Sequence, residues 1–183
     1  IGNANYEFYP KLKNPVNDAE LIAEKLDSLG FTVIKGFDLS DKNEMFEKLD
    51  EFGNQRDFAD VGLIFYAGHA VQLNSNNYLI PTNVEIDFDR YSYELRQKTM
   101  NIQDVTYWLE RKKDQVNILI LDACRNNPVA DGTRSVGSAE GGLAKIEPPS
   151  GTFIAYSAEA NKKALDGDGD NSYYATSLAK NMM

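Results

Sequence analysis

Apolar residues occur along this chain in two patterns. From 19 to 29 they recur at Ala19, Ile22, Ala23, Leu26 and Leu29, one stripe of a helix. From 61 to 66 and from 116 to 121 they run almost unbroken, as in strands covered on both faces. Shorter signals lie between. Residues 1–3 read as a strand stub, and a polar loop follows as far as Pro15. Asn17, with Glu20 three positions on, predicts the cap of the first helix, and Gly30 its stop. The β-branched run 31–34 predicts a strand. Asp41 with Glu44 predicts the start of a second helix that carries Met45, Leu49 and Phe52 on one face. Residues 71–73 and 78–80 flank Asn74-Ser75-Asn76-Asn77 as the arms of a hairpin would. After a polar, aromatic-dotted stretch at 87–100, Asn101 predicts the cap of a third helix with Ile102, Val105, Trp108 and Leu109. Residues 129–151, poor in large apolar side chains and rich in Gly, Ser and Pro, predict a mobile surface segment. A strand at 153–156 and a helix at 172–182 close the series. Strand–helix alternation of this kind predicts an α/β fold, a mostly parallel central sheet with helices on both faces.

Composition narrows the function classes. At 183 residues a single domain is the default, and 42% apolar residues are enough for a proper core. The net charge of −9 disfavours nucleic acid and anionic membranes as partners, since both need clustered Lys and Arg; it suits a cationic substrate. A single cysteine excludes an internal disulfide framework and any Cys-rich zinc site. No apolar run approaches the ~18 residues that cross a bilayer, so a soluble protein is expected, with the cytoplasm as the default compartment. The opening Ile1-Gly2-Asn3 reads as the tail of a strand, which suggests a domain excised from a longer chain.

The candidate chemistry rests on one histidine and one cysteine. His69 closes the apolar run that begins at Val61, and Cys124 closes the one that begins at Val116. The carboxyl ends of strands in an open parallel sheet are where ligands and catalytic groups gather. Two such strands side by side would bring a thiol and an imidazole to one edge, the arrangement of a cysteine nucleophile with a histidine base. Either residue alone is more often structural; the pairing, about 55 residues apart, is what favours catalysis. A tetrahedral oxyanion would need two donors, and the backbone N–H groups of Ala70 and Cys124 are the natural pair at such an edge.

Around these residues the chain resembles a known family. Tyr66-Ala67-Gly68-His69-Ala70, followed by Asp122-Ala123-Cys124-Arg125-Asn126-Asn127-Pro128, is similar to the caspase-like cysteine peptidases of family C14, above all their bacterial metacaspase, paracaspase and orthocaspase branches. Asn14-Pro15-Val16-Asn17-Asp18-Ala19 fits the same families, as does Gly151-Thr152-Phe153-Ile154-Ala155-Tyr156-Ser157 leading to Ala164-Leu165-Asp166-Gly167. The resemblance runs from end to end in the right order. Two departures stand out. Asp122 occupies the place of the glutamine found before Ala-Cys in animal caspases, and Ala70 follows the histidine where glycine is usual. A Cβ at 70 would exclude any conformation open only to glycine.

The resemblance implies a caspase-like fold over 1–183, with a large-subunit-like part at 1–128, a linker at 129–150 and a truncated small-subunit-like part at 151–183. It implies His69 as general base and acid, and Cys124 as nucleophile. In metacaspase-like relatives the pocket for the P1 residue uses acids corresponding to Asp18 and Asp122, which hold Arg or Lys; paired carboxylates suit a guanidinium through bidentate bonds. Ser157 and Asp166 complete the expected pocket, Asp166 falling where animal caspases carry the arginine that reads P1 Asp. Arg134 and Lys145, within the linker, are candidate self-cleavage points.

No metal and no cofactor is expected. Asp166-Gly167-Asp168-Gly169-Asp170 suggests a calcium loop, but Asn171 and Ser177 stand where an EF-hand would carry Gly and Glu. Glu85, Asp87 and Asp89 offer only a weak alternative for calcium. The expected protein is therefore a cysteine endopeptidase that cleaves peptides and proteins after Arg, less often Lys, as a monomer. The rival is a catalytically silent caspase-like regulatory or scaffolding module, towards which Ala70 leans. A nucleotide binder shares the α/β pattern, but neither Gly-x-Gly-x-x-Gly nor a phosphate loop is present.

Overall fold

A computed structural model describes residues 1–56, 58–87, 90–110, 115–124, 143–157 and 169–182, without the side chains of Tyr91 and Cys124. Its order is α1 (Pro15–Ser28), α2 (Lys42–Arg56), β1 (Val61–Leu73), β2 (Asn76–Leu79), α3 (Tyr91–Lys98), β3 (Met100–Asn101), α4 (Ile102–Leu109), β4 (Val116–Cys124), β5 (Thr152–Tyr156) and α5 (Tyr173–Asn181).

The strands form one sheet in the order β3-β2-β1-β4-β5. The first half of β1 pairs parallel with β4, from Val61↔Val116 to His69↔Cys124, and β4 pairs parallel with β5. Beyond His69, β1 continues antiparallel to β2, from Ala70↔Leu79 to Leu73↔Asn76, and β2 pairs antiparallel with β3. The sheet is thus mixed, a parallel half joined to an antiparallel one through β1. Residues 1–3 lie along the other edge of β1, with a parallel bridge from Gly2 to Ala67 and another to Phe37. The expected strand at 31–34 is not formed: the one bridge to this edge falls at Phe37, outside that run.

Pleating sorts the side chains of β1 and β4 to two faces. Phe65, Ala67 and Ile120 meet Ala19, Ile22 and Leu26 of α1, with Tyr174 and Leu178 of α5 against them. Ile64, Tyr66, Leu119 and Leu121 face the opposite way, onto Met45 and Leu49 of α2 and Ile102, Val105 and Leu109 of α4. Helices therefore cover both faces. Each fully buried Leu or Ile contributes about 1.5–3 kcal/mol, which makes these two layers the main source of stability.

Helix starts follow local chemistry. Pro15 occupies the first turn of α1 and shifts its start to Asn14, ahead of the expected cap at Asn17; proline needs no N–H partner there and its φ is already helical. Asp41 Oδ1 accepts from the N–H groups of Asn43 and Glu44 at 2.8 and 3.0 Å, while Glu44 Oε2 accepts from Ser40 N–H. Asn101 caps α4 through Gln103 N–H at 2.9 Å. Helix α3 forms inside the stretch read as polar and irregular. The hairpin turn is confined to Asn74 and Ser75, both at positive φ (49° and 62°), which suits a two-residue loop.

The expected mobile segment needs correction at its downstream end. Leu143 is buried in the α2/α4 layer, and Asn77 pins Ala144 by donating to its carbonyl and accepting from its N–H, at 2.8 and 2.7 Å. Residues 125–142 lie outside the described residues.

Candidate active site

His69 sits where β1 changes neighbour. Up to this residue one edge of β1 is paired with β4; past it, the pairing continues only on the opposite edge, with β2. The N–H and C=O of alternate residues point to alternate edges. Ala67 bonds to Ile1 and Asn3, and the His69 carbonyl accepts from Ile80 N–H at 3.0 Å, so odd-numbered residues here face the β2 edge. Ala70 N–H is therefore directed to the β4 edge, just past the level of Cys124. Ala70 keeps a negative φ, so the glycine usual at this place is not required for that geometry, and its Cβ packs into the α2/α4 layer.

The imidazole is 4% exposed and held by groups from the loop after residue 3. His69 Nε2 lies 2.8 Å from the carbonyl oxygen of Pro10. A carbonyl only accepts, so in the neutral ring Nε2 carries the proton and Nδ1 the lone pair. Nδ1 is buried and makes no hydrogen bond among the described residues. Burial lowers the pKa of His69, with the Pro10 carbonyl pulling weakly the other way. The ring is neutral at pH 7 and has one nitrogen ready to take a proton.

Three tyrosines build this cradle. The Tyr6 ring stacks on the imidazole at 4.3 Å between centroids, tilted by 51°, and Tyr9 meets it edge-on at 6.5 Å. Tyr6 OH accepts from His69 N–H at 2.7 Å, and Tyr66 OH donates to the His69 carbonyl at 2.8 Å. Burial raises the pKa of Tyr66 well above the ordinary phenol, and the neighbouring Tyr6 adds to it, which keeps the hydroxyl a donor. Gly68 makes room for both: a Cβ there would come within 2.7 Å of Tyr6 Oη and 2.8 Å of Tyr66 Oη, and its φ of +152° disfavours any other residue. Sequence reasoning missed Tyr6, Tyr9 and Pro10. The cluster Tyr6, Phe8, Tyr9 and Pro10 in a loop read as polar was the only signal.

Asp18 and Asp122 come together on the α1/α5 face. Asp122, two residues before Cys124, alternates with Ala123 onto that face. Asp18 lies in the first turn of α1. They are 2% and 8% exposed. Ser172 Oγ donates to Asp122 Oδ2 at 2.8 Å, and Ser172 N–H to Asp18 Oδ1 at 2.8 Å. Burial raises the pKa of Asp18; the donors from Ser172 and Asn171 oppose this, and the charge of Asp122 adds to it. Burial, then the same charge, raises that of Tyr174. Two buried acids facing one another create a strongly negative recess.

The remaining expected residues are less close to this chemistry. Ser157 is half-buried, its N–H bonded to Leu121 O at 3.0 Å and its Oγ without a partner among the described residues. Lys145 is exposed, between the pinned Ala144 and Ile146, whose N–H reaches Tyr156 OH at 3.3 Å. Arg134, Asp166 and the thiol of Cys124 lie outside what is described. Among the described residues no three His, Cys, Asp or Glu side chains converge as metal ligands would. Nor, among them, is any helix long and apolar enough to cross a membrane. A cavity of about 460 Å³, lined by Ile22, Leu26, Phe31, Val33, Phe52 and Leu63, sits at the opposite end of β1 and shares nothing with the His69 rim.

An α/β core with a histidine and a cysteine in register where two adjacent parallel strands stop pairing defines a class, and the sequence bears it out: the caspase domain family matches residues 1–183, and the chain belongs to that family. Among curated proteins it is similar to human mucosa-associated lymphoid tissue lymphoma translocation protein 1 and its mouse homolog, each 27% identical over 168 residues. The match covers 88% of this chain but 20% and 19% of the two relatives, so the chain spans about a fifth of their length.

Proposed function

We propose that this domain is a cysteine endopeptidase that cleaves after Arg, and less readily Lys, through a Cys124–His69 dyad. The observation that carries the reading is the state of His69: Nε2–H fixed on the Pro10 carbonyl, Nδ1 free of described partners, and Cys124 its register partner on the adjacent strand. Neighbouring strands lie about 4.8 Å apart, within reach of a proton transfer between their side chains.

In this mechanism His69 Nδ1 takes the thiol proton and the Cys124 sulfur adds to the scissile carbonyl. The Ala70 and Cys124 N–H groups receive the oxyanion. Collapse breaks the C–N bond, and the imidazolium delivers its proton to the leaving amine. Water, deprotonated by the same nitrogen, then hydrolyses the thioester. The Pro10 carbonyl stabilises the transient imidazolium as the third member of the set. No cofactor takes part.

The preference for basic P1 residues rests on Asp18 and Asp122, whose buried carboxylates would gain most from a guanidinium. The same preference makes Arg134, in the linker, a candidate for self-cleavage, and Lys145 a poorer one because its neighbours are pinned.

The test is a fluorogenic P1-Arg amide assayed with native and Cys124→Ala protein. The reading expects hydrolysis by the native chain only; equal rates would end it. Faster cleavage of a P1-Asp substrate would leave the peptidase standing and overturn the pocket. A silent regulatory module remains the other class, and its Cys124 would react with a thiol-directed probe no faster than a free thiol at neutral pH.

A further inference from the structure

Ser172 belongs to three structures at once. It is the N-cap of α5, where its Oγ accepts from Ala175 N–H at 3.0 Å. The same hydroxyl has a single proton, and it is given to Asp122 Oδ2 on β4. Its backbone N–H goes to Asp18 Oδ1 on α1, beside the Asn171 amide at 3.1 Å. The residue is 4% exposed, so these bonds do not compete with bulk water. The segment that delivers it is clamped to the start of α1: Lys13 Nζ holds Gly169 O at 2.8 Å, and Asn17 Nδ2 holds Asp170 O at 2.9 Å.

Nothing in the chemistry of peptide hydrolysis needs a serine here, and a helix cap alone needs no carboxylate. Two buried carboxylates left to themselves repel and would swing apart or take up a proton. A residue that donates to one through its side chain and to the other through its backbone sets their spacing. The bonds to Asp18 from the Asn171 amide and the Ser172 N–H both fall on Oδ1, and the Ser172 hydroxyl acts more weakly on the same carboxylate. We infer that Ser172 is a positioning residue that holds Asp18 and Asp122 at the separation a forked guanidinium requires, and so sets the preference for Arg over Lys. This rests on the basic-P1 reading of the two acids.

Ser172→Gly tests it, because glycine caps a helix almost as well as serine while removing the hydroxyl. The probe is butylguanidinium, which has no scissile bond, with butylammonium as the lysine-like control; binding is read from the carboxyl ¹³C shifts of Asp18 and Asp122. Loss of one bond to a charged group predicts guanidinium binding weaker by about tenfold, with butylammonium much less affected. Ser172→Thr, which keeps the hydroxyl, should restore most of it. With a P1-Arg substrate the glycine variant should raise KM and leave kcat nearly unchanged. Should the glycine variant not fold, Ser172→Asn serves, since asparagine caps a helix as well as serine while displacing the donor from Asp122. Unchanged guanidinium binding in the variant would overturn this inference and leave the acidic pocket standing. No binding by the native chain would remove the pocket and this inference together.

Discussion

His69 is the only histidine of the chain, so its C2 proton gives a single NMR titration. The midpoint should fall below 6.5, because burial disfavours the charged ring, and ¹⁵N shifts should report the Nε2–H tautomer. A midpoint at or above 6.5 would contradict the buried, carbonyl-bound ring. The sign carries over to stability. A depressed pKa means that the unfolded chain binds more protons, so this contribution is present above pH ~6.5 and is lost as pH falls towards the folded value. The acid limb of kcat/KM should lie in the same window. That the histidine and cysteine would lie on adjacent strands was legible from the two apolar runs they close. Pro10, Tyr6 and Tyr9 were not, because they reach His69 from about sixty residues upstream through loop geometry that no periodicity encodes.

Among the elements, β1 has the most to explain, since it serves the parallel and the antiparallel half of the sheet in succession. Its sequence showed two short strands because Gly68 and His69 interrupt the apolar pattern, yet the backbone runs straight through both. Gly68 permits this by letting two tyrosine hydroxyls approach. Gly68→Ala should therefore cost about 1–3 kcal/mol, the usual range for a residue forced into such a conformation, and should lower activity by displacing Tyr6 from His69 N–H. Chemical denaturation beside a P1-Arg assay would check both; a variant of native stability would argue against the close approach. Asn101→Ala should cost about 1 kcal/mol through the loss of the α4 cap, measured the same way. The helices with clear stripes or caps were legible, whereas α3 was hidden by its polar composition. The run at 31–34 looked like a strand on propensity, but it makes no bridge, and the contact with Gly2 falls three residues further on, at Phe37.

At the scale of the whole molecule, the fold gathers α1, β4 and α5 around two acids and leaves the rest of an acidic surface to attract cations. Asp18→Asn should lower kcat/KM on P1-Arg substrates by at least about 30-fold, about 2 kcal/mol for a lost buried charge partner. The same change should raise the melting temperature of the unliganded protein. The raised pKa of Asp18 means that its ionised form destabilises the folded chain at neutral pH, a cost felt as pH rises above the unfolded value. A variant that is less stable and equally active would contradict both statements. With a net charge of −9, association with basic peptides should also slow as ionic strength rises from about 10 mM to about 150 mM, where the Debye length shrinks from about 30 to about 8 Å. The central claim, a thiol made nucleophilic by His69 beside a pocket for a basic side chain, is tested most directly by intact-protein mass spectrometry after exposure to a P1-Arg chloromethyl ketone. The account predicts one adduct per chain, mapped to Cys124, formed faster than on a free thiol and slowed at least about a hundredfold by His69→Ala. An adduct that forms no faster than on free cysteine, or at the same rate without the imidazole, would contradict it.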